Sequence, residues 1–266
     1  MISLEGKTAL VTGSTQGVGR AIAVGLATAG ANVAIHGLAD GPEAQSALAD
    51  CRAHGVRAEL IAGDLLAGPT MDSIGQVFDD ATAAMGEINL LVNNAGTYMD
   101  QPFLEMDFET FDCTMKLNVY SYFFLTQRFA QHWVKQEIAG RVLLIGSING
   151  RLAEPTHAAY DTSKGAVEMM VKSLCVSLAP HGIRVNGLAP GLFKTPLTAP
   201  ALEDEAVMSW MKQHTPNGQV PGPEVCAEAA VYLLSDAAIH VHGHMMMIDG
   251  GMSAWQQPDP PVTSAD

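Results

Sequence analysis

Seven short aliphatic runs alternate with longer stretches whose apolar residues fall at helical spacing, and this alternation leaves few folds open to the chain. The runs are TALVTG (Thr8 to Gly13), NVAIHG (32–37), RAELIAGDL (57–65), INLLVNNAG (88–96), GRVLLIGSI (140–148), IRVNGLAPG (183–191) and HMMMIDGG (244–251). Between them, helices are expected in VGRAIAVGLATAG, around Glu43 to His54, through Met71 to Met85, from Phe108 to Glu137, and from Ala158 to a stop at Pro180, His181 and Gly182. Strand followed by helix, repeated, implies a parallel sheet covered on both faces. The strands read as continuous apolar runs, as strands buried on both sides should. No internal repeat or linker splits the chain, so the expectation is an α/β fold: a single doubly wound domain over residues 1–251. Within it, residues 189–223 are rich in Pro, Gly and Thr, with a short helical piece around Glu203 to Gln213. A long loop after a strand end is where a substrate loop or lid is expected. Residues 252–266 form a Pro-rich tail, which could fray or dock on a neighbouring subunit through Trp255.

Composition excludes several functions. Hydrophobic residues make up 48% of the chain and charged residues 16%, enough apolar material for a large core. The net charge is −14 and no run of Lys or Arg occurs, which argues against nucleic acid as a partner. No stretch reaches the roughly 18 apolar residues of a membrane span. The segment MISLEGKTALVTG has no basic stretch followed by an apolar one, so no signal peptide is expected. Cys51, Cys113, Cys175 and Cys226 are scattered without metal-type spacing, which suits free thiols in a reducing cytoplasm. His240, His242 and His244 alternate in HVHGH and would share a face if they lay on a strand. With Gly243 interrupting and no acidic or Cys ligand adjacent, no metal site is expected there.

The first strand-to-helix turn reads TGSTQGVG, Thr12 to Gly19. Gly13, Gly17 and Gly19 would let the backbone approach a phosphate, and the helix that follows would aim its free N–H groups at the same place. A glycine-rich turn between a first strand and a first helix is the context a dinucleotide site requires. Farther on, Tyr160 and Lys164 lie one helical turn apart in YDTSK and face the same side. A phenol with a pKa near ~10 is a poor base at neutral pH. A nearby ammonium would favour its ionised form, and the pair is read as giving up a proton around neutrality.

Taken together, TGSTQGVG, NNAG (Asn93 to Gly96), LNVY with Asn118, Ser147 thirteen residues before Tyr160, YDTSK, and Pro190–Gly191 resemble the short-chain dehydrogenase/reductases, from about Lys7 to Gly251. The resemblance implies a Rossmann-like fold with a seven-stranded parallel sheet, a nicotinamide cofactor and an assembly of four identical subunits. It also implies catalytic roles. Tyr160 would be the acid/base, and Lys164 its charge partner and a holder of the nicotinamide ribose. Ser147 would bind the substrate oxygen, and the Asn118 backbone would hold a proton-relaying water. Cofactor contacts would come from Gly13, Thr15, Gln16, Gly17, Val18, Gly19, Leu38, Asp64, Leu65, Asn94, Ala95, Gly96, Tyr160, Lys164, Pro190, Gly191, Leu192 and Thr195.

The choice between NAD and NADP turns on positive charge, because a 2′-phosphate needs Arg or Lys near the second strand or the glycine turn. Gln16 occupies the turn, and from Ala21 to Cys51 there is no Lys or Arg, while Asp40 and Glu43 add negative charge. NAD is therefore expected, although Gly37 stands where an NAD enzyme usually carries an aspartate. The segment IHGLAD resembles the hydroxybutyrate dehydrogenases of the family, which use NAD. Their carboxylate-binding residues are absent here: Asn149 and His157 stand in those places. Asn149, Glu154, His157, Tyr98 and Lys194 make a polar set, with Ser147, Asn149, His157, Tyr160 and Lys194 as the expected substrate contacts. Polar groups suit a sugar, polyol or other hydroxy compound as the small-molecule substrate, and Lys194 could meet an anionic group. The expected function is NAD-linked interconversion of a secondary alcohol and its carbonyl form. An NADPH-linked 3-oxoacyl (acyl carrier protein) reductase is the alternative. A non-catalytic dinucleotide-binding regulator is disfavoured because both Tyr160 and Lys164 are present.

Overall fold

The structure is a computed structural model that describes residues 2–67, 72–196, 198–199 and 203–255. Seven strands form one parallel sheet: β1 (Thr8–Val11), β2 (Asn32–Gly37), β3 (Ala58–Ala62), β4 (Leu90–Asn93), β5 (Arg141–Ile145), β6 (Arg184–Pro190) and β7 (Met245–Ile248). Their order is β3-β2-β1-β4-β5-β6-β7, so the chain reverses its direction of travel across the sheet between β1 and β4. Each expected strand is present inside its aliphatic run, and the fold is the doubly wound one that the alternation implied. A crevice opens beyond the carboxyl ends of the strands at such a reversal.

The helices are α1 (Gly17–Thr28), α2 (Pro42–Arg52), α3 (Asp72–Met85), α4 (Phe108–Met115), α5 (Ser121–Gln136), α6 (Ala158–Leu178), α7 (Glu205–Gln213) and α8 (Ala227–Leu234). Two apolar cores lie on opposite faces of the sheet. One packs Ile22, Leu26, Leu48 and Leu234 against Val11, Val33 and Leu188. The other packs Ile74, Phe78, Phe129, Trp133 and Val171 against Leu10, Leu91 and Leu144. Alternate strand residues therefore serve opposite cores, as a pleat with a period of two residues requires.

Three features differ from the sequence expectation. The helix expected as continuous from Phe108 to Glu137 is broken by a π turn at Lys116–Tyr120, which carries Asn118. Helix α8 was not expected at all. Its run AEAAVYLL is short and nearly uniformly apolar, so periodicity cannot distinguish it from a strand. It seats Ala227 against Gly25 of α1 so closely that a methyl group at Gly25 would come within 2.7 Å of the Ala227 side chain. Last, His240, His242 and His244 do not share a strand face, because they precede β7 in a turn and irregular backbone. Among the described residues no group of three His, Cys, Asp or Glu is placed to hold a metal. The expected tail, apart from 252–255, and parts of the expected substrate loop (197 and 200–202) lie outside the described residues, as does Met71.

Candidate active site

A cleft of about 590 Å³ opens at the carboxyl ends of the strands, where the sheet order reverses. At one end lies the glycine turn. Gly13 and Gly17 both take positive φ (+60° and +57°), which a side chain would strain, and a methyl group at Gly13 would come within 2.8 Å of Ala95. Helix α1 starts at Gly17 with no side-chain cap from Gln16, so its first N–H groups face the cleft without a side-chain partner at that position. Thr12 Oγ1 accepts from the backbone N–H groups of Asn94 (2.9 Å) and Ala95 (3.0 Å), which joins the glycine turn to the turn after β4. Asn94 Nδ2 donates to the Thr12 and Gly13 carbonyls, each at 2.9 Å.

The expected cofactor residues Gly13, Thr15, Gln16, Gly17, Val18, Leu38, Asp64, Leu65, Asn94, Ala95, Gly96, Tyr160, Lys164, Pro190, Gly191 and Thr195 all line this cleft. Two others do not. Gly19 lies behind the turn, where a methyl group would meet Asn94 Nδ2 at 2.3 Å and the Gly13 carbonyl at 2.4 Å, so close packing is its role. Leu192 lies outside the lining although both its neighbours, Gly191 and Phe193, are in it. Asp64 accepts from the Leu66 N–H through Oδ1 (2.9 Å), which turns the chain after β3 beneath the cleft.

Sequence reading missed His36, a buried residue at the end of β2 that lines the same region. Its Nδ1 accepts from the Gly13 N–H at 3.2 Å, so the ring holds the glycine turn from below. Burial pushes its pKa down to about 4, so the ring is neutral at physiological pH. Strand β2 is buried at every position from 33 to 37, so a continuous apolar run gives no sign of which neighbour the His36 ring meets. Gly37 has a reason too: a methyl group there would meet Thr15 Cγ2 at 2.5 Å.

At the other end of the cleft, Ser147, Tyr160 and Lys164 converge. Ser147 caps a short turn after β5 by accepting the Asn149 N–H at 3.1 Å. Tyr160 and Lys164 stand near the start of α6, and the Lys164 ammonium lies 5.5 Å from the centre of the Tyr160 ring. Burial holds the Lys164 ammonium down to a pKa of about 8, and Nζ donates to the Ile145 carbonyl at 3.1 Å. For Tyr160 the structure corrects the expectation of a phenol that ionises near neutrality. Burial pushes its pKa up, and the negative charges of Asp161 and Glu154 add to that, against a lowering by the Ser147 hydrogen bond. The expectation considered only the cation and omitted the low dielectric and the carboxylates.

Asn118 is fully buried, and its side chain is wholly committed. Nδ2 donates to the Thr97 carbonyl (2.9 Å) and Ser163 Oγ (3.0 Å), and Oδ1 accepts the Thr97 N–H (2.8 Å). Only its main chain, in the π turn, is left to meet a water. Among the expected substrate residues, Asn149 and His157 sit just behind the wall and join Glu154 and Asp161 in a hydrogen-bonded group. Tyr98, missing from the expected contacts, is on the wall itself and meets His157 Nε2 at 2.6 Å. Lys194 is exposed and outside the lining, its N–H bound to the Pro221 carbonyl at 2.8 Å.

Comparison with known proteins agrees with this geometry. A family model described as enoyl-(acyl carrier protein) reductase matches residues 13–253. The chain is 35% identical to a 5-keto-D-gluconate 5-reductase of Escherichia coli (strain K12), covering 95% of this chain and 97% of that protein. It is 36% identical to an L-rhamnose 1-dehydrogenase (NAD(P)(+)) of Sphingomonas sp. (strain SKA58), over 94% and 97% of the two chains. Among solved structures, a gluconate 5-dehydrogenase from Burkholderia cenocepacia J2315 in complex with NADP and tartrate superposes with a TM-score of 0.88 at 33% identity, covering 96% of this chain and 98% of that one.

Proposed function

This chain belongs to the short-chain dehydrogenase/reductase family, and on that premise we propose that it is an NAD-dependent sugar or polyol dehydrogenase with Tyr160 as acid/base. The chain is a dinucleotide-dependent oxidoreductase that interconverts a secondary alcohol and its carbonyl form. The observation that carries the proposal is the convergence of Ser147, Tyr160 and Lys164 at the end of a cleft whose other end is the glycine turn.

The residues divide the work along the cleft. The glycine turn and the start of α1 would hold the pyrophosphate, Asp64 the adenine, and Lys164 the nicotinamide ribose. Bound nicotinamide supplies or accepts the hydride. In reduction, Ser147 Oγ steadies the carbonyl oxygen and Tyr160 delivers its proton to that oxygen; in oxidation the proton returns to Tyr160. The Asn118 main chain would hold the water that relays the proton outward.

NAD is favoured over NADP by the ribose end. Leu38 is 75% exposed at the cleft mouth, and the basic side chain just after the glycine turn, Arg20, is tied to Asp50 (2.6 Å) and Ser46 (2.7 Å). Among the described residues no guanidinium lines the cleft, and the exposed Asp40 and Glu43 just after β2 add negative charge to this end of the chain. The names of the relatives include both a sugar acid and a neutral sugar, which supports a carbohydrate substrate of either class.

The domain proposal is residues 1–251 as one catalytic unit with the substrate loop at 189–223. Four free cysteines support a reducing cytoplasm, and no helix among the described residues is long and apolar enough to cross a membrane. A homotetramer is supported by exposed apolar side chains on α4, α5 and α6, among them Phe108, Phe123, Phe124, Met169 and Val176. Fluorescence titration with NADH and NADPH, followed by turnover assays on sugars and polyols, tests the proposal. Tighter NADH binding and carbohydrate-dependent NADH formation are expected. Tighter NADPH binding contradicts the cofactor choice.

A further inference from the structure

Beside Tyr160 the cleft wall carries an ordered chain of polar groups. Tyr98 Oη lies 2.6 Å from His157 Nε2, and His157 Nδ1 lies 3.3 Å from Glu154 Oε1. Tyr98 Oη has two side-chain partners, the His157 ring and the Asp100 carboxylate; burial pushes the phenol pKa up, and the hydrogen bond to Asp100 helps. Donation to the Asp100 carboxylate commits the single proton of Tyr98, and a lone pair of Oη remains for a ligand hydroxyl. The Tyr98 ring stands edge-on to Tyr160, with centroids 5.3 Å apart and planes at 86°, and both residues line the cleft.

Charge is the second observation. Asp161 takes the Asn149 Nδ2 donor at 2.8 Å and the Glu154 N–H at 3.0 Å, and Asp100 lies 4.0 Å from His157 Nε2. Three carboxylates, Asp100, Glu154 and Asp161, therefore surround the polar wall. Of the cations nearby, two have protein partners and one stands outside the lining. Lys164 donates to the Ile145 carbonyl, Arg151 pairs with Glu168 at 2.9 Å, and Lys194 is exposed outside the lining. The undescribed positions contain no Lys or Arg. A carboxylate on the substrate beside Tyr98 would enter the negative field of Asp100, Glu154 and Asp161, with Lys164 the one ammonium that lines the cleft among the described residues.

We propose that Tyr98, held by His157 and Glu154, is a specificity residue that accepts a hydrogen bond from a hydroxyl on the carbon next to the reacting one, and that the surrounding carboxylates restrict the substrate to uncharged polyhydroxy compounds. Neutral sugars and polyols fit; sugar acids do not. The inference rests on the reading of this cleft as the site of alcohol–carbonyl exchange. His157 and Glu154 are positioning residues in it, because they act through Tyr98.

The test compares kcat/KM for neutral aldoses and polyols with kcat/KM for gluconate and 5-keto-gluconate, at low and high salt. The neutral class is expected to win by at least about tenfold at low salt, with the gap narrowing as salt screens the carboxylates. Glu154→Gln narrows it as well. With simple substrates, Tyr98→Phe raises KM for cyclohexane-1,2-diol by roughly fivefold, the size of one hydrogen bond, and leaves cyclohexanol unchanged. NADH binding by each variant confirms that it folds. A preference for the sugar acids, or a Tyr98→Phe effect equal on the diol and the monoalcohol, overturns the inference while leaving the dehydrogenase reading intact. An enzyme that binds NADH but turns over no alcohol or carbonyl of either class overturns both.

Discussion

The Lys164 ammonium lies 5.5 Å from the centre of the Tyr160 ring, and its only hydrogen bond to protein among the described residues runs to the Ile145 carbonyl at 3.1 Å. A buried cation without a carboxylate is destabilised, which is why its pKa falls to about 8. Burial pushes the Tyr160 phenol the opposite way, so at neutral pH the phenol keeps its proton beside a charged lysine. That is the protonation state carbonyl reduction needs.

The pH dependence of reduction follows. Both groups are in their working form below about 8, and Lys164 loses its charge as the pH rises through that value. In a pH series, kcat/KM for carbonyl reduction should hold level through neutrality and then fall with a midpoint near 8. A level profile up to about pH 10 would show that Lys164 keeps its proton or does not matter.

His36 gives a second pH effect, on stability. Its folded-state pKa is depressed to about 4 from 6.5, so the unfolded chain takes up the proton first. The contribution is full above about 6.5 and is lost as the pH falls to about 4. The shift corresponds to roughly 3 kcal/mol. His36→Asn keeps an acceptor for the Gly13 N–H but does not titrate, so urea unfolding should show a shallower acid loss in the variant than in the wild type. Equal slopes in the two proteins would remove His36 from the account.

Cofactor choice is tested at Leu38, which is exposed and at the cleft mouth. Leu38→Arg places a guanidinium where a 2′-phosphate would lie, and a charge-assisted contact there is worth about 1.5–3 kcal/mol. The ratio of kcat/KM for NADP over NAD should rise at least about tenfold. No change in that ratio would mean that the ribose lies elsewhere.

Much of this was legible in the sequence, and the exceptions have physical causes. The aliphatic runs located every strand of the sheet, because strands buried on both faces leave a continuous apolar signature. Helix α8 escaped because it too is apolar nearly all round, and the π turn at Asn118 left no mark because LNVY has no helix breaker. In the site, the glycine turn, Ser147, Tyr160 and Lys164 could be read from spacing along the chain. His36 under Gly13, and Tyr98 against His157, are contacts between segments 23 and 59 residues apart, which spacing does not reveal. The direction of the Tyr160 shift depends on burial and on Glu154 and Asp161 together, quantities that exist only in three dimensions.

The central claim is that Tyr160 handles the substrate proton next to bound nicotinamide. Its most direct test is NADH formation with a turned-over alcohol by the wild type and by Tyr160→Phe, with NADH affinity measured on both. Loss of turnover by a factor of about 10²–10⁴, with NADH affinity unchanged, is the predicted result. Turnover within about twofold of the wild type in a variant that binds NADH normally would contradict it.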